Sequence, residues 1–175
     1  MLRLGPLRLH WSLLLGAALF CALQPQPLIL AGYGAILAAH VLGHALAVLG
    51  TGLRVEGVML HALGGELLGA GEVSPLRRSL IACCGVLAQA ALFAVAFLAV
   101  LPPDLDDAFG RRNGLMLLLN LIPVKPLDGA LAWKLPGRLR AASRMRYRGR
   151  MRSSSAVQKD VADLLRKIRG SSRVR

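Results

Sequence analysis

His40 and His44 stand four residues apart in an apolar run from Ala38 to Leu49. On an α-helix that spacing stacks both imidazoles on one face, and two imidazoles are half of a tetrahedral zinc site. No Asp, Glu, Lys or Arg occurs between Arg8 and Arg54. The pair therefore sits in a segment with the composition of a membrane span, where ionisable side chains are costly and functional. Two histidines alone also suit haem ligation or hydrogen bonding to neighbours. Asp128 supplies a third donor, held between Pro126 and Gly129 and the only acidic residue near the end of the last apolar stretch. His40, His44 and Asp128 offer two nitrogens and one carboxylate oxygen, leaving a fourth tetrahedral position for water. Without the histidines, Asp128-Gly129 would read as a turn.

These residues need helices to carry them. Leu28 to Gly50 gives 23 residues, about 35 Å of helix and enough to cross the hydrocarbon. Ser79 to Leu101 is a second 23-residue run without a charge, stopped by Pro102-Pro103. Before both, Met1 to His10 is short and basic, and Trp11 to Leu23 is apolar. That order suits a signal peptide, but there is no Ala-x-Ala site and Gln24-Pro25-Gln26-Pro27 marks a turn, so a retained first helix is favoured. Gly114 to Val124 is apolar but short, and prolines follow closely. It predicts a helix that breaks inside the membrane, tolerated where it lines a cavity. Asp104, Asp106, Asp107, Arg111 and Arg112 predict a polar loop before it.

Thr51 to Arg78 differs in kind, with Arg54, Glu56, Glu66, Glu72, Arg77 and Arg78 among many glycines. The partial alternation from Arg54 to Leu60 predicts short strands or a hairpin, with turns at Gly64-Gly65 and Gly69-Ala70-Gly71. The expected fold is an all-α membrane protein of about four transmembrane helices, with a small β-hairpin or sheet inserted after the second.

Composition agrees: 55% of the 175 residues are hydrophobic and mean hydropathy is +0.54, which argues against a soluble domain. The net charge of +13 is concentrated at the end, where Lys134 to Arg175 holds 14 Lys or Arg against Asp160 and Asp163. The expected division is a membrane-embedded core over residues 1–137 and a basic tail over 138–175. The tail predicts a cytoplasmic C-terminus drawn to anionic membrane lipids; nucleic acid is the disfavoured partner. Val157, Val161, Leu164, Leu165 and Ile168 predict one face of a tail helix from Ser155 to Gly170. Cys21, Cys83 and Cys84 lie in apolar runs without metal spacing and read as small buried residues.

The stretch from His40 to Ala47, His-Val-Leu-Gly-His-Ala-Leu-Ala, resembles the metal motif of the site-2 proteases, a family of membrane-embedded zinc metalloproteases. Asn120 to Gly129, with Pro123, Pro126 and the Leu127-Asp128-Gly129 ending, is similar to that family's second motif. Leu60-His61-Ala62-Leu63-Gly64-Gly65 resembles its glycine-containing sheet segment. The resemblance covers roughly Leu28 to Trp133 and is nearest the small sporulation-type core. It implies zinc held by His40, His44 and Asp128, a transmembrane protein as substrate or partner, and a multi-pass location in a bacterial inner membrane.

Two positions depart from the pattern. Gly85-Val86-Leu87-Ala88-Gln89 stands where the family often has a Gly-Pro and an Asn. More consequentially, Val41 occupies the general-base position, where the family carries its catalytic Glu. That carboxylate takes a proton from the attacking water and passes it to the leaving amine; valine does neither. The resulting expectation is a site-2-protease-like chain impaired in proteolysis that binds a transmembrane substrate or partner. Alternatives are an active protease using another base, with Glu66 and Glu72 as candidates, and a haem- or metal-carrying membrane protein. His61 suits a fourth ligand, a proton shuttle or, most simply, a strand residue.

Overall fold

The computed structural model of the protein describes residues 1–22, 24–49, 51, 53–70, 73–148, 158–159 and 161–162. The chain forms two compact units, Met1–Leu135 and Pro136–Arg175. The first opens with β1 (Leu2–Leu4) and β2 (Leu7–Leu9), followed by helices α1 (Ser12–Cys21) and α2 (Pro27–Leu49). Strands β3 (Arg54–His61) and β4 (Gly64–Ala70) come next, then α3 (Pro75–Leu98). Helix α4 (Pro103–Asp106), wider π-type turns over Asp107–Arg112 and α5 (Asn113–Asn120) follow one another directly, and α6 (Gly129–Ala132) comes after a turn.

The hairpin expected after the second helix is present, with β3 antiparallel to β4, but the sheet is larger than expected. It has four strands in the order β1-β2-β3-β4. The basic start of the chain is therefore a hairpin and no mere lead-in to a helix. Leu2-Arg3-Leu4 and Leu7-Arg8-Leu9 alternate about Gly5-Pro6, and Gly5 takes a positive φ of 63° that favours glycine. β2 then pairs parallel with β3; a parallel pair needs a crossover, and α1 and α2 supply it. The all-α expectation gives way to a mainly helical fold with a mixed sheet. The β3–β4 turn falls at Ala62–Leu63, because Gly64 and Gly65 are already paired in β4.

Two helices among the described residues, α2 with 23 residues and α3 with 24, are long and apolar enough to cross a membrane; four were expected. α1 has 10 residues and α5 has 8, about 15 and 12 Å of helix. The expected polar loop is helical instead. Within it Asp107 pairs with Arg111 at 3.3 Å and with Arg112 at 2.6 Å.

α3 starts where Ser74 accepts a hydrogen bond from the Arg77 N–H and Pro75 fills the first turn. α2 packs closely on α3 at Gly43, where a Cβ would strike the Cys84 carbonyl. Ile29, Tyr33, Ile36 and Leu37 of α2 meet Phe20 of α1, Ala108 and Met116 in one buried cluster. The three cysteines are free and half-buried.

In the second unit, residues 136–148 are helical, and the Ser143 hydroxyl donates to the Leu139 carbonyl at 3.0 Å. The tail helix expected over Ser155–Gly170 lies outside the described residues, apart from 158–159 and 161–162, which are helical.

Candidate metal centre

Helix α2 carries His40 and His44 on one buried face, 2% and 4% exposed. Asp128 reaches them from the turn between α5 and α6. Its Oδ2 lies 3.0 Å from His40 Nε2 and 3.2 Å from His44 Nε2, and the two Nε2 atoms are 3.0 Å apart. The turn that delivers Asp128 is tight: a Cβ on Gly129 would collide with the carbonyls of Leu121 and Ile122. α6 is tied to α3 by the Ser79 hydroxyl, which donates to the Leu131 carbonyl at 2.5 Å.

α3 and β4 hold the imidazoles in place. His44 Nδ1–H donates to the Ile81 carbonyl at 2.8 Å. That bond fixes the tautomer and leaves the Nε2 lone pair facing Asp128. Gly85 provides the room, since a Cβ there would overlap the His44 ring; Gly64 does the same for His40. Behind the site runs a chain of buried amides. Asn120 Nδ2 donates to the Leu63 carbonyl at 2.6 Å and to Gln89 Oε1 at 3.2 Å. Asn113 Nδ2 donates to the Gln89 carbonyl at 3.2 Å.

The donor set fits a zinc ion. The three ligand atoms all lie within 4.8 Å of one another. Their spacings of 3.0–3.2 Å approach the edge of roughly 3.4 Å that zinc bonds of about 2.1 Å would give a tetrahedron. With the His44 proton on Nδ1, its Nε2 lone pair and the Asp128 oxygen face each other, an arrangement that a cation between them stabilises. The haem alternative fits poorly. Both imidazoles point at one carboxylate oxygen, which leaves no place between them for a macrocycle, and Asp128 would have no part to play.

A cavity of about 380 Å³ adjoins the three residues, lined also by His61, Glu66 and Asn120. His61 ends β3 as a half-buried strand residue. Burial pushes its imidazole below the ordinary value, and the neighbouring His40 adds to that. Glu66 is exposed on β4, opposite Met59; Glu72 lies outside the described residues. Val41 is half-buried and packs toward Gly65, where a Cβ would lie 2.5 Å from Val41 Cγ2.

Nothing in the residue types points to the Ile81 carbonyl, since a backbone acceptor leaves no mark on residue type. Gln89 and Asn113 were also missed as site support. Their signal was available: uncharged amides inside apolar runs must find partners in the interior.

No protein-family model matches the chain, and no curated protein matches it. Among solved structures, the fold is similar to that of a site-2 protease from Methanocaldococcus jannaschii, with a TM-score of 0.58 at 18% sequence identity. The likeness covers 77% of this chain and 68% of that one.

Proposed function

We propose that this chain is a membrane-embedded, zinc-binding protein of the site-2 protease type that engages a transmembrane helix and is impaired in cleaving it. The observation that carries the reading is the convergence of His40, His44 and Asp128 on one point, inside a fold similar to that of a site-2 protease. The same three residues are the ligands implied by the motifs. Zinc bound there would act as a Lewis acid toward a peptide carbonyl and acidify a coordinated water. The chain's own part is to fix the donors: the Ile81 carbonyl orients His44, Gly64 and Gly85 clear space for the rings, and Gly129 aims Asp128.

Val41 is what separates this site from a complete protease. Its isopropyl group neither accepts nor delivers a proton, and general acid–base help is worth about 10²–10⁴-fold. A second reading, active proteolysis with a replacement base, draws on Glu66, a carboxylate lining the same cavity. It predicts that Glu66→Gln abolishes any cleavage the protein shows. α2 and α3 embed the chain in a membrane, and the basic tail over 138–175 sits on the cytoplasmic side against anionic lipid.

Metal analysis of the purified protein tests the core of this reading. About one zinc per chain is expected, with none retained by His44→Ala. Undiminished zinc in that variant would overturn the site. A reporter fused after Arg175 should behave as cytoplasmic; a signal from the opposite side would overturn the orientation.

A further inference from the structure

We infer that His61 donates a hydrogen bond to the carbonyl oxygen of the peptide bond presented at the metal centre, so that the sheet helps to hold the backbone of the bound polypeptide. The inference rests on the site reading above and adds to it a side chain that touches the partner instead of the metal.

Register is the first argument. His61 and Gly64 are the last pair before the β3–β4 turn. Directly opposed residues of an antiparallel pair project from the same face of the sheet. Gly64 shows which face that is, because a Cβ there would lie 2.8 Å from His40 Nε2. Opposed Cβ positions are about 5 Å apart, so the His61 side chain starts close to the imidazoles of α2. It nonetheless stays outside the cluster of ligand atoms that His40, His44 and Asp128 form. His61 is therefore beside the centre without completing it.

Availability is the second argument. His61 and the three donors line one cavity of about 380 Å³, within the range of roughly 300–1,000 Å³ usual for ligand sites. Burial pushes the His61 imidazole below its ordinary value, and the neighbouring His40 adds to that. At neutral pH the ring is therefore uncharged and keeps one N–H. Among the described residues it has no hydrogen-bond partner, so that N–H is available to a ligand in the cavity.

The other side chains of the cavity do not compete for the role. Asn120 Nδ2 already donates to the Leu63 carbonyl and to Gln89 Oε1. An ionised Glu66 only accepts. Arg54 stands seven residues from His61 along β3, roughly 20 Å away. Arg78 stands seven residues before Gly85, where α3 meets the His44 ring, roughly 10 Å along that helix. When water adds to a peptide carbonyl, the new C–O bond moves the π pair onto the carbonyl oxygen. A fixed N–H donor binds that oxygen more strongly as its negative charge grows. His61 should therefore favour a tetrahedral oxyanion over a planar amide.

The test uses the full zinc-loaded chain in mild detergent and two short apolar peptides that reach the metal differently. A phosphinic peptide presents tetrahedral anionic oxygens in place of the reacting carbonyl. A thiol peptide presents sulfur alone. The Kd of each is read by calorimetry, and zinc content by metal analysis. His61→Phe should weaken the phosphinic peptide by about tenfold or more, the worth of a hydrogen bond to a charged group. It should leave the thiol peptide and the zinc content unchanged. His61→Gln, which keeps an N–H donor, should regain part of the lost affinity. An equal loss for both peptides, or a loss for neither, would overturn the inference. Zinc lost from His61→Phe would make His61 a ligand and overturn it too, with the metal centre left standing. A zinc-loaded parent chain that binds the thiol peptide but not the phosphinic one would likewise refute the inference alone. A parent chain that takes up no zinc, or binds neither peptide, refutes the site reading and the inference with it.

Discussion

α2 and α3 are nearly equal in length and both are apolar enough to span a membrane, yet they bury different things. α2 buries the donors His40 and His44. α3 buries what holds donors still: the bare Cα of Gly85, the amide of Gln89 and, through its backbone, the Ile81 carbonyl that orients His44. Donor residues announce themselves by type and spacing. Their supports are a missing side chain, a carbonyl and an amide, and they matter nearly as much to metal affinity as the donors.

The largest expected effect lies on the donor helix. If the missing base is the main defect, Val41→Glu should raise cleavage of a transmembrane substrate by about 10²-fold or more. A rate assay on the reconstituted protein reads this directly. A parent chain that already cleaves as fast as Val41→Glu would show that the base lies elsewhere, and Glu66→Gln would then be the decisive variant.

The supporting helix should yield the next largest effect. Gly85→Ala drives a methyl group into a His44 ring pinned at both nitrogens. Zinc affinity should fall by about 10–100-fold, the usual cost of disturbing a ligand's outer support. Gly34→Ala on α2 is the control, because nothing lies within 4 Å of a Cβ there. It should leave zinc binding unchanged and add roughly 0.5–1 kcal/mol of helix stability. Equal zinc affinity in the two variants would remove the distinction between the helices.

Gln89→Leu should do less. Asn120 would lose the Gln89 Oε1 acceptor but keep the Leu63 carbonyl. A stability loss of about 1 kcal/mol is expected, read as a lowered thermal midpoint with zinc stoichiometry intact. Loss of the metal instead would make Gln89 part of the centre.

The sequence made the site more legible than the fold around it. His40, His44 and Asp128 were identifiable because charge-bearing side chains stand out in apolar runs, and the structure brings all three together. Helices α2 and α3 were legible from uncharged length. The N-terminal hairpin was not: its two arginines and apolar neighbours suit a signal-like start equally well. Its pairing partner, β3, lies some fifty residues away, beyond any local pattern. The run from Asp104 to Arg112 misled for a related reason. Its density of charge predicted a loop, but Asp107 pairs with both arginines, and the backbone stays helical.

The smallest effect concerns the sheet, which lends the cavity His61 without belonging to either helix. Burial holds its imidazole below the ordinary value of 6.5, so the folded chain resists a proton that the unfolded chain accepts. Below pH 6.5 the unfolded state therefore binds more protons, and stability rises with pH across that window. The contribution is fully present above 6.5 and is lost as pH falls through the depressed folded value. His61→Phe keeps the ring's bulk and removes the titration. Thermal midpoints of the two proteins should agree near pH 8, while the parent should fall more steeply as pH drops below about 6.5. The difference should be modest because His61 is only half-buried. Parallel curves would mean that His61 is solvated and that the sheet contributes shape to the cavity but no chemistry. A His61→Phe chain that loses zinc at pH 8 would instead place His61 among the ligands, beside the donors of α2.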